Sequence, residues 1–187
     1  MTTFEYIAVL ISIIVGLGIT HLLGGLGRLI GNPGKAKVYW VHIAWSLYLF
    51  VYLVAFWWWE FRLNTVEDWT IELYLFLVLY AVLMYLLCVI VYPMEFPSDF
   101  GEYFYLRRRW FFGVWILIYV VDVVDTLSKG GAYFASYGLE YPVTMTAYIA
   151  LSATAIFTVN RRFHGGFAVG MCFYQFVWMF RLFGTVS

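Results

Sequence analysis

Trp69 to Tyr92 reads WTIELYLFLVLYAVLMYLLCVIVY, 24 residues that hold one formal charge, Glu72. A helix on the surface of a soluble protein turns a charged stripe toward water, and this segment has none. About 20 apolar residues rising about 1.5 Å each cover about 30 Å of hydrocarbon, so the stretch reads as a membrane-crossing helix. Five further stretches read the same way, with approximate bounds Phe4–Leu26, Val38–Trp59, Trp110–Leu127, Pro142–Val159 and Phe163–Phe183. The expected fold is all-α: a polytopic membrane protein, a bundle of six transmembrane helices forming one integral membrane domain over residues 1–187.

Composition says the same. Of 187 residues, 64% are hydrophobic and 12% charged, against about 45–50% and about 25% in a soluble domain. So small a domain cannot hide that excess in one core, because most of its surface must be wetted. Net charge is zero, with 11 basic and 11 acidic residues, so nothing points to a nucleic-acid partner. Nine Trp and sixteen Tyr fit belts at the two membrane interfaces, where an amphipathic ring is satisfied at both ends.

The breaks between spans carry their own signals. Asn32-Pro33-Gly34 stops the first helix, since proline lacks an amide hydrogen and its predecessor avoids helical angles. Pro93 and Pro97 interrupt the chain after the third, Gly130-Gly131 follow the fourth, and Pro142 suits the first turn of the fifth.

Cytoplasmic connections retain Lys and Arg, which sets the direction of insertion. Arg28, Lys35, Lys37, Arg107, Arg108, Arg109, Arg161 and Arg162 follow spans one, three and five; only Arg62, Lys129 and Arg181 fall on the opposite face. That alternation places both termini on the non-cytoplasmic side of a plasma or bacterial inner membrane. The first span has no basic residue before it and reads as a retained helix rather than a signal peptide.

Ser12, Gly16, Thr20 and Gly24 recur every four residues in the first span. Small residues at that interval let membrane helices approach closely. The expectation is that this helix is central, packed with spans five and six, or forms a subunit interface.

Ionisable groups inside hydrocarbon are costly and are functional candidates by default. Asp122 and Asp125 share one face of the fourth span, Asp122 about 18 Å along it from Trp110. With Glu72 and Arg181 they sit toward the outer level. They form either an acidic entrance for cations or protons, or structural pairs, Asp122 with Arg181 and Asp125 with Lys129. His21, His42 and His164 fall near the inner level. Two of them suit a haem iron and three a zinc or copper ion, unless each is satisfied by water or a backbone carbonyl. Gln175 lies mid-span and needs a partner across a helix interface. Cys88 and Cys172 read as small core residues without a metal-ligand spacing.

Between Pro93 and Arg109, aromatic residues interleave with charges, and an amphipathic stretch on the membrane surface is expected. Its Arg107, Arg108 and Arg109 suit anionic lipid or a partner protein. No catalytic motif of the zinc-protease, nucleophile-elbow or phosphate-loop kind occurs, so the chain leans away from enzymes. No lysine lies mid-span to form a retinal Schiff base. The function expected first is a non-enzymatic membrane subunit or scaffold, assembling with itself or a membrane partner. The alternatives are a small proton or cation channel or carrier using the outer carboxylates, and a haem- or metal-binding membrane protein.

Overall fold

The computed structural model describes residues 3–66 and 69–182. The Arg62 side chain and Phe183, the expected end of the sixth span, lie outside the described residues. The chain folds as helices α1 (Thr3–Gly31), α2 (Trp40–Glu60), α3 (Ile71–Val91), α4 (Phe100–Ser128), α5 (Gly131–Ser136), α6 (Glu140–Phe157) and α7 (Arg161–Leu182). A 3-10 turn, Phe61–Thr65, leads out of α2. There is no strand among the described residues. Four helices are long and apolar enough to cross a membrane: Phe4–Gly31, Trp40–Glu60, Ile71–Val91 and Phe100–Ser128. At 18 and 22 residues, α6 and α7 reach about 27 and 33 Å at the helical rise.

Local chemistry sets several boundaries. Thr70 caps α3 by accepting from the Leu73 amide at 3.3 Å. Asp99 caps α4 by accepting from the amides of Gly101 at 2.7 Å and Glu102 at 3.1 Å, which satisfies donors that a helix start leaves free. The same carboxylate meets Lys37 Nζ at 3.0 Å. Around that pair, the Lys37 amide donates to Ser98 and the Phe100 amide to the Lys37 carbonyl, at 2.8 and 3.0 Å. The α1–α2 and α3–α4 connections are thereby fastened together. At the opposite end, Gly130 closes α4 with φ of 113°, a conformation that only glycine adopts without strain.

Two expectations are corrected. The segment after Pro97 is not a separate surface stretch: α4 begins at Phe100 and runs unbroken to Ser128. Arg107–Arg109 lie within the early turns of this one long helix rather than in a stretch before it. Nor is α1 packed with α6 and α7. It lies along α3 and touches α2; α3 packs on α4, α4 on α6, and α2 on α7. The side of α1 that approaches its neighbour is the Gly18, His21, Gly25 stripe, where Gly18 faces Cys88 and Gly25 lies flat under the Tyr92 ring. Ser12, Gly16, Thr20 and Gly24 point away, and added Cβ atoms at Gly16 and Gly24 would meet nothing within 4 Å.

The interior is aromatic. Trp45, Tyr48, Tyr80, Tyr92, Phe112, Trp115 and Tyr119 are fully buried. The Trp45 ring meets those of Phe111, Phe112, Trp115 and Phe167 at centroid separations of 5.3, 5.4, 6.4 and 5.2 Å, three of the four contacts edge-on as ring quadrupoles prefer. This cluster fills the middle of the bundle and separates its two polar ends. The outside is apolar too: Val9, Ile13, Leu17, Leu47, Leu79, Leu117 and Val124 are all exposed.

Candidate functional site

The ends of α2 and α4 meet α6 and α7 around a cavity of about 70 Å³. At roughly 10–15 Å³ per water, this holds several waters or one small organic ion. Eight tyrosines and two tryptophans line it, together with Glu60, Asp122, Asp125, Lys129 and Gln175. Aromatic faces therefore form most of the wall, and three carboxylates face one ammonium.

Lys129, the residue that ends α4, turns back into the bundle. Its Nζ donates to Asp125 Oδ2 at 2.5 Å, to Glu60 Oε1 at 3.1 Å and to the Trp59 carbonyl at 3.4 Å. These three side chains are 2–3% exposed, so solvent screens the pairs little. Two acceptors are left over. Asp125 Oδ1 and Glu60 Oε2 are buried and accept no hydrogen bond, although Oε2 is also 3.1 Å from Nζ. The Nε2 of Gln175, a residue 6% exposed, likewise has no partner.

Asp122 is one turn earlier on α4, so helical spacing puts it on the same face as Asp125. Tyr80 donates to its Oδ1 at 2.8 Å and Tyr141 to its Oδ2 at 2.7 Å. Both phenolic hydrogens are committed to the carboxylate, which fixes the direction of the next bonds. Tyr52 must donate to Tyr80, 2.7 Å away, and Thr126 to Tyr141, 3.0 Å away. Two short hydroxyl chains therefore converge on one carboxylate, each link strengthening the next. Such chains carry protons as readily as they hold charge.

The expected site residues divide into groups. Asp122 and Asp125 come together here. Arg181 does not pair with Asp122; it bonds Glu140 at the start of α6, because α7 packs beside α6 and its end meets that carboxylate first. Glu72 is exposed at the start of α3, away from the cavity. Arg107 and Arg109 are exposed, while Arg108 donates to the Tyr105 carbonyl at 2.6 Å.

The histidines occupy the opposite end of the bundle. His21 Nε2 bonds the Tyr92 carbonyl at 2.6 Å and His42 Nε2 the Val91 carbonyl at 2.9 Å. Those oxygens sit at the end of α3, where a helix leaves its last carbonyls without partners. His164 Nε2 bonds the Thr158 carbonyl at 3.1 Å, with its ring against Phe104, Tyr105 and Phe112. Among the described residues, no group of three or more His, Cys, Asp or Glu is placed to hold a metal ion.

From sequence, Glu60 is only one of several carboxylates at the outer level, and the tyrosines read mainly as belts and bundle packing; neither is singled out as a wall of this site. The signal was spacing. Tyr48 and Tyr52, Tyr119 and Asp122, Tyr141 and Tyr148, and Tyr174 and Trp178 recur three, four or seven residues apart on four helices, which puts each pair on one face. No protein-family model, curated protein or solved structure matches this chain.

Proposed function

We propose that this protein crosses the membrane six times with both termini outside, and that it binds a cation or proton in the tyrosine–carboxylate chamber as a carrier does. The apolar exterior supports immersion in lipid. Eight of eleven basic residues cluster at the histidine end, which supports a cytoplasmic assignment for that end and an outer one for the chamber. The aromatic cluster around Trp45 leaves no polar path from chamber to histidines, so an open pore has no support. Uptake from one side, followed by rearrangement, is the mode that fits.

The observation that carries this reading is the excess of carboxylates over ammonium around an aromatic-walled cavity. Three carboxylates and one ammonium line it, Asp125 Oδ1 has no hydrogen-bond donor, and Glu60 Oε2 meets only the ammonium that Asp125 also holds. Unpaired buried charge is costly unless a proton or cation completes it. The test is cation- or pH-gradient-driven uptake in proteoliposomes. Asp122→Asn and Asp125→Asn should each lower it at least tenfold, with helicity unchanged. Equal rates in the original protein, both variants and protein-free vesicles would defeat the proposal.

A second reading, a subunit that assembles through α1, rests on the outward-facing Ser12, Gly16, Thr20 and Gly24. Cysteine cross-linking between copies at Gly16 tests it; no cross-link in native membranes would set it aside.

A further inference from the structure

We infer that the ion received by the chamber is a small primary ammonium compound, an inference that rests on the cation-binding reading above. Three features of the site select this class. The under-satisfied acceptors are carboxylate oxygens, Asp125 Oδ1 without a donor and Glu60 Oε2 with only the Lys129 ammonium at 3.1 Å, which call for a ligand with N–H donors. The wall around them is aromatic, with Trp59, Tyr52, Tyr141, Tyr148, Tyr174 and Trp178 among its members, and ring faces attract an organic cation stripped of water. A hard metal ion instead needs about six oxygen ligands at short range, and the described residues offer no such group.

Two further observations bear on the ligand, the first of them independent of the acids. Gln175 is buried, lines the cavity and leaves one amide end unpartnered. Amide ends exchange by a half-turn, so a bound ammonium would draw the carbonyl oxygen inward as a third acceptor. The other is Lys129 itself. Its primary ammonium already bridges Glu60 and Asp125, which shows that the constellation accommodates this group. Lys129 is thus a tethered occupant, and a soluble ammonium ion takes up Asp125 Oδ1, the oxygen that it leaves free.

The experiment is calorimetric titration of the full chain in lipid nanodiscs with methylammonium, tetramethylammonium and sodium chlorides at constant ionic strength. Saturable methylammonium binding is expected, with affinity at least tenfold above that for tetramethylammonium, which has the charge but no N–H, and above that for sodium. Asp125→Asn and, separately, Gln175→Leu should each weaken methylammonium binding about tenfold or more. Using two variants on different helices guards against one that misfolds. Sodium binding as tight as methylammonium, or tetramethylammonium as tight, overturns the inference. Absence of methylammonium binding alongside intact, Asp125-dependent proton uptake in proteoliposomes overturns the ligand class and leaves the carrier reading standing. Absence of both overturns the two together.

Discussion

The two ends of this bundle spend their polar groups differently. At the histidine end each imidazole Nε2 meets a main-chain carbonyl that the helix geometry had left without a partner. At the tyrosine end the polar side chains instead face one another across a cavity, with a carboxylate oxygen to spare. Buried polar residues thus carry no single meaning. What separates fastening from function is whether the local backbone has a use for the group.

Five substitutions and one silent control would break or sharpen that contrast, the five in falling order of effect. Lys129→Met strands Glu60 and Asp125 without their ammonium. Removing one partner of a buried ion pair costs about 3–5 kcal/mol, so thermal unfolding in detergent should shift strongly downward at pH 8. The shift should shrink at pH 5, as protons replace the missing cation. A pH-independent loss would mean that packing, not charge, holds that corner.

Tyr80→Phe deletes one of the two hydrogen bonds to Asp122 and strands the Tyr52 hydroxyl. A hydrogen bond to a charged group is worth about 1.5–3 kcal/mol, and chemical denaturation should show a loss of that order. Uptake should fall as well, since the hydroxyl chain is cut. His42→Ala should cost a similar or slightly smaller amount, about 1–3 kcal/mol for the orphaned Val91 carbonyl, while uptake per folded molecule stays unchanged. An uptake defect in His42→Ala would collapse the distinction between the two ends. Gly25→Ala pushes a methyl group into the Tyr92 ring, where overpacking costs about 1–3 kcal/mol. Gly16→Ala, facing outward, should cost nothing measurable by the same assay.

The smallest measurable effect belongs to Asp99. The Lys37 hydrogen bond, first among its causes, and the amides of the α4 cap hold its pKa below the ordinary carboxylate value. A depressed folded-state pKa means a stabilising contribution present above the unfolded value, near 4, and lost as pH falls through the folded one. Asp99→Ala should therefore lower stability slightly at neutral pH and progressively less below pH 4. Parallel unfolding curves at pH 7 and pH 3 measure the difference.

Much of the architecture was legible because lipid imposes a simple demand. Each of the six apolar stretches contains a helix, and the breaks at Pro33, Pro93 and Gly130 fall where the chain turns. The missed pieces were short or ambiguous. The six-residue α5 lies in a polar–aromatic connection with no period to read, and the first turns of α4 were masked by their arginines. Asp122 and Asp125 were legible as a pair because three residues separate them on one helix. Their partners were not, because Glu60 lies 65 positions before Asp125 and Tyr80 lies 42 before Asp122, distances that only packing closes.

By itself, then, the sequence determined the helical class, the number of apolar stretches and which residues share a helix face, since these follow from local hydrophobicity and a fixed 3.6-residue period. Tertiary structure alone decided that α1 lies against α3 by its Gly18–Gly25 face, that Arg181 takes Glu140 rather than Asp122, and that the histidines close the end of α3. It alone brought Glu60, Lys129 and the tyrosines around Asp122 and Asp125. Facing and partnership depend on how helices rotate against one another, and in a chain apolar on nearly every side no polar stripe dictates that rotation. Ring shape, glycine notches and the need to satisfy each buried polar atom settle it instead.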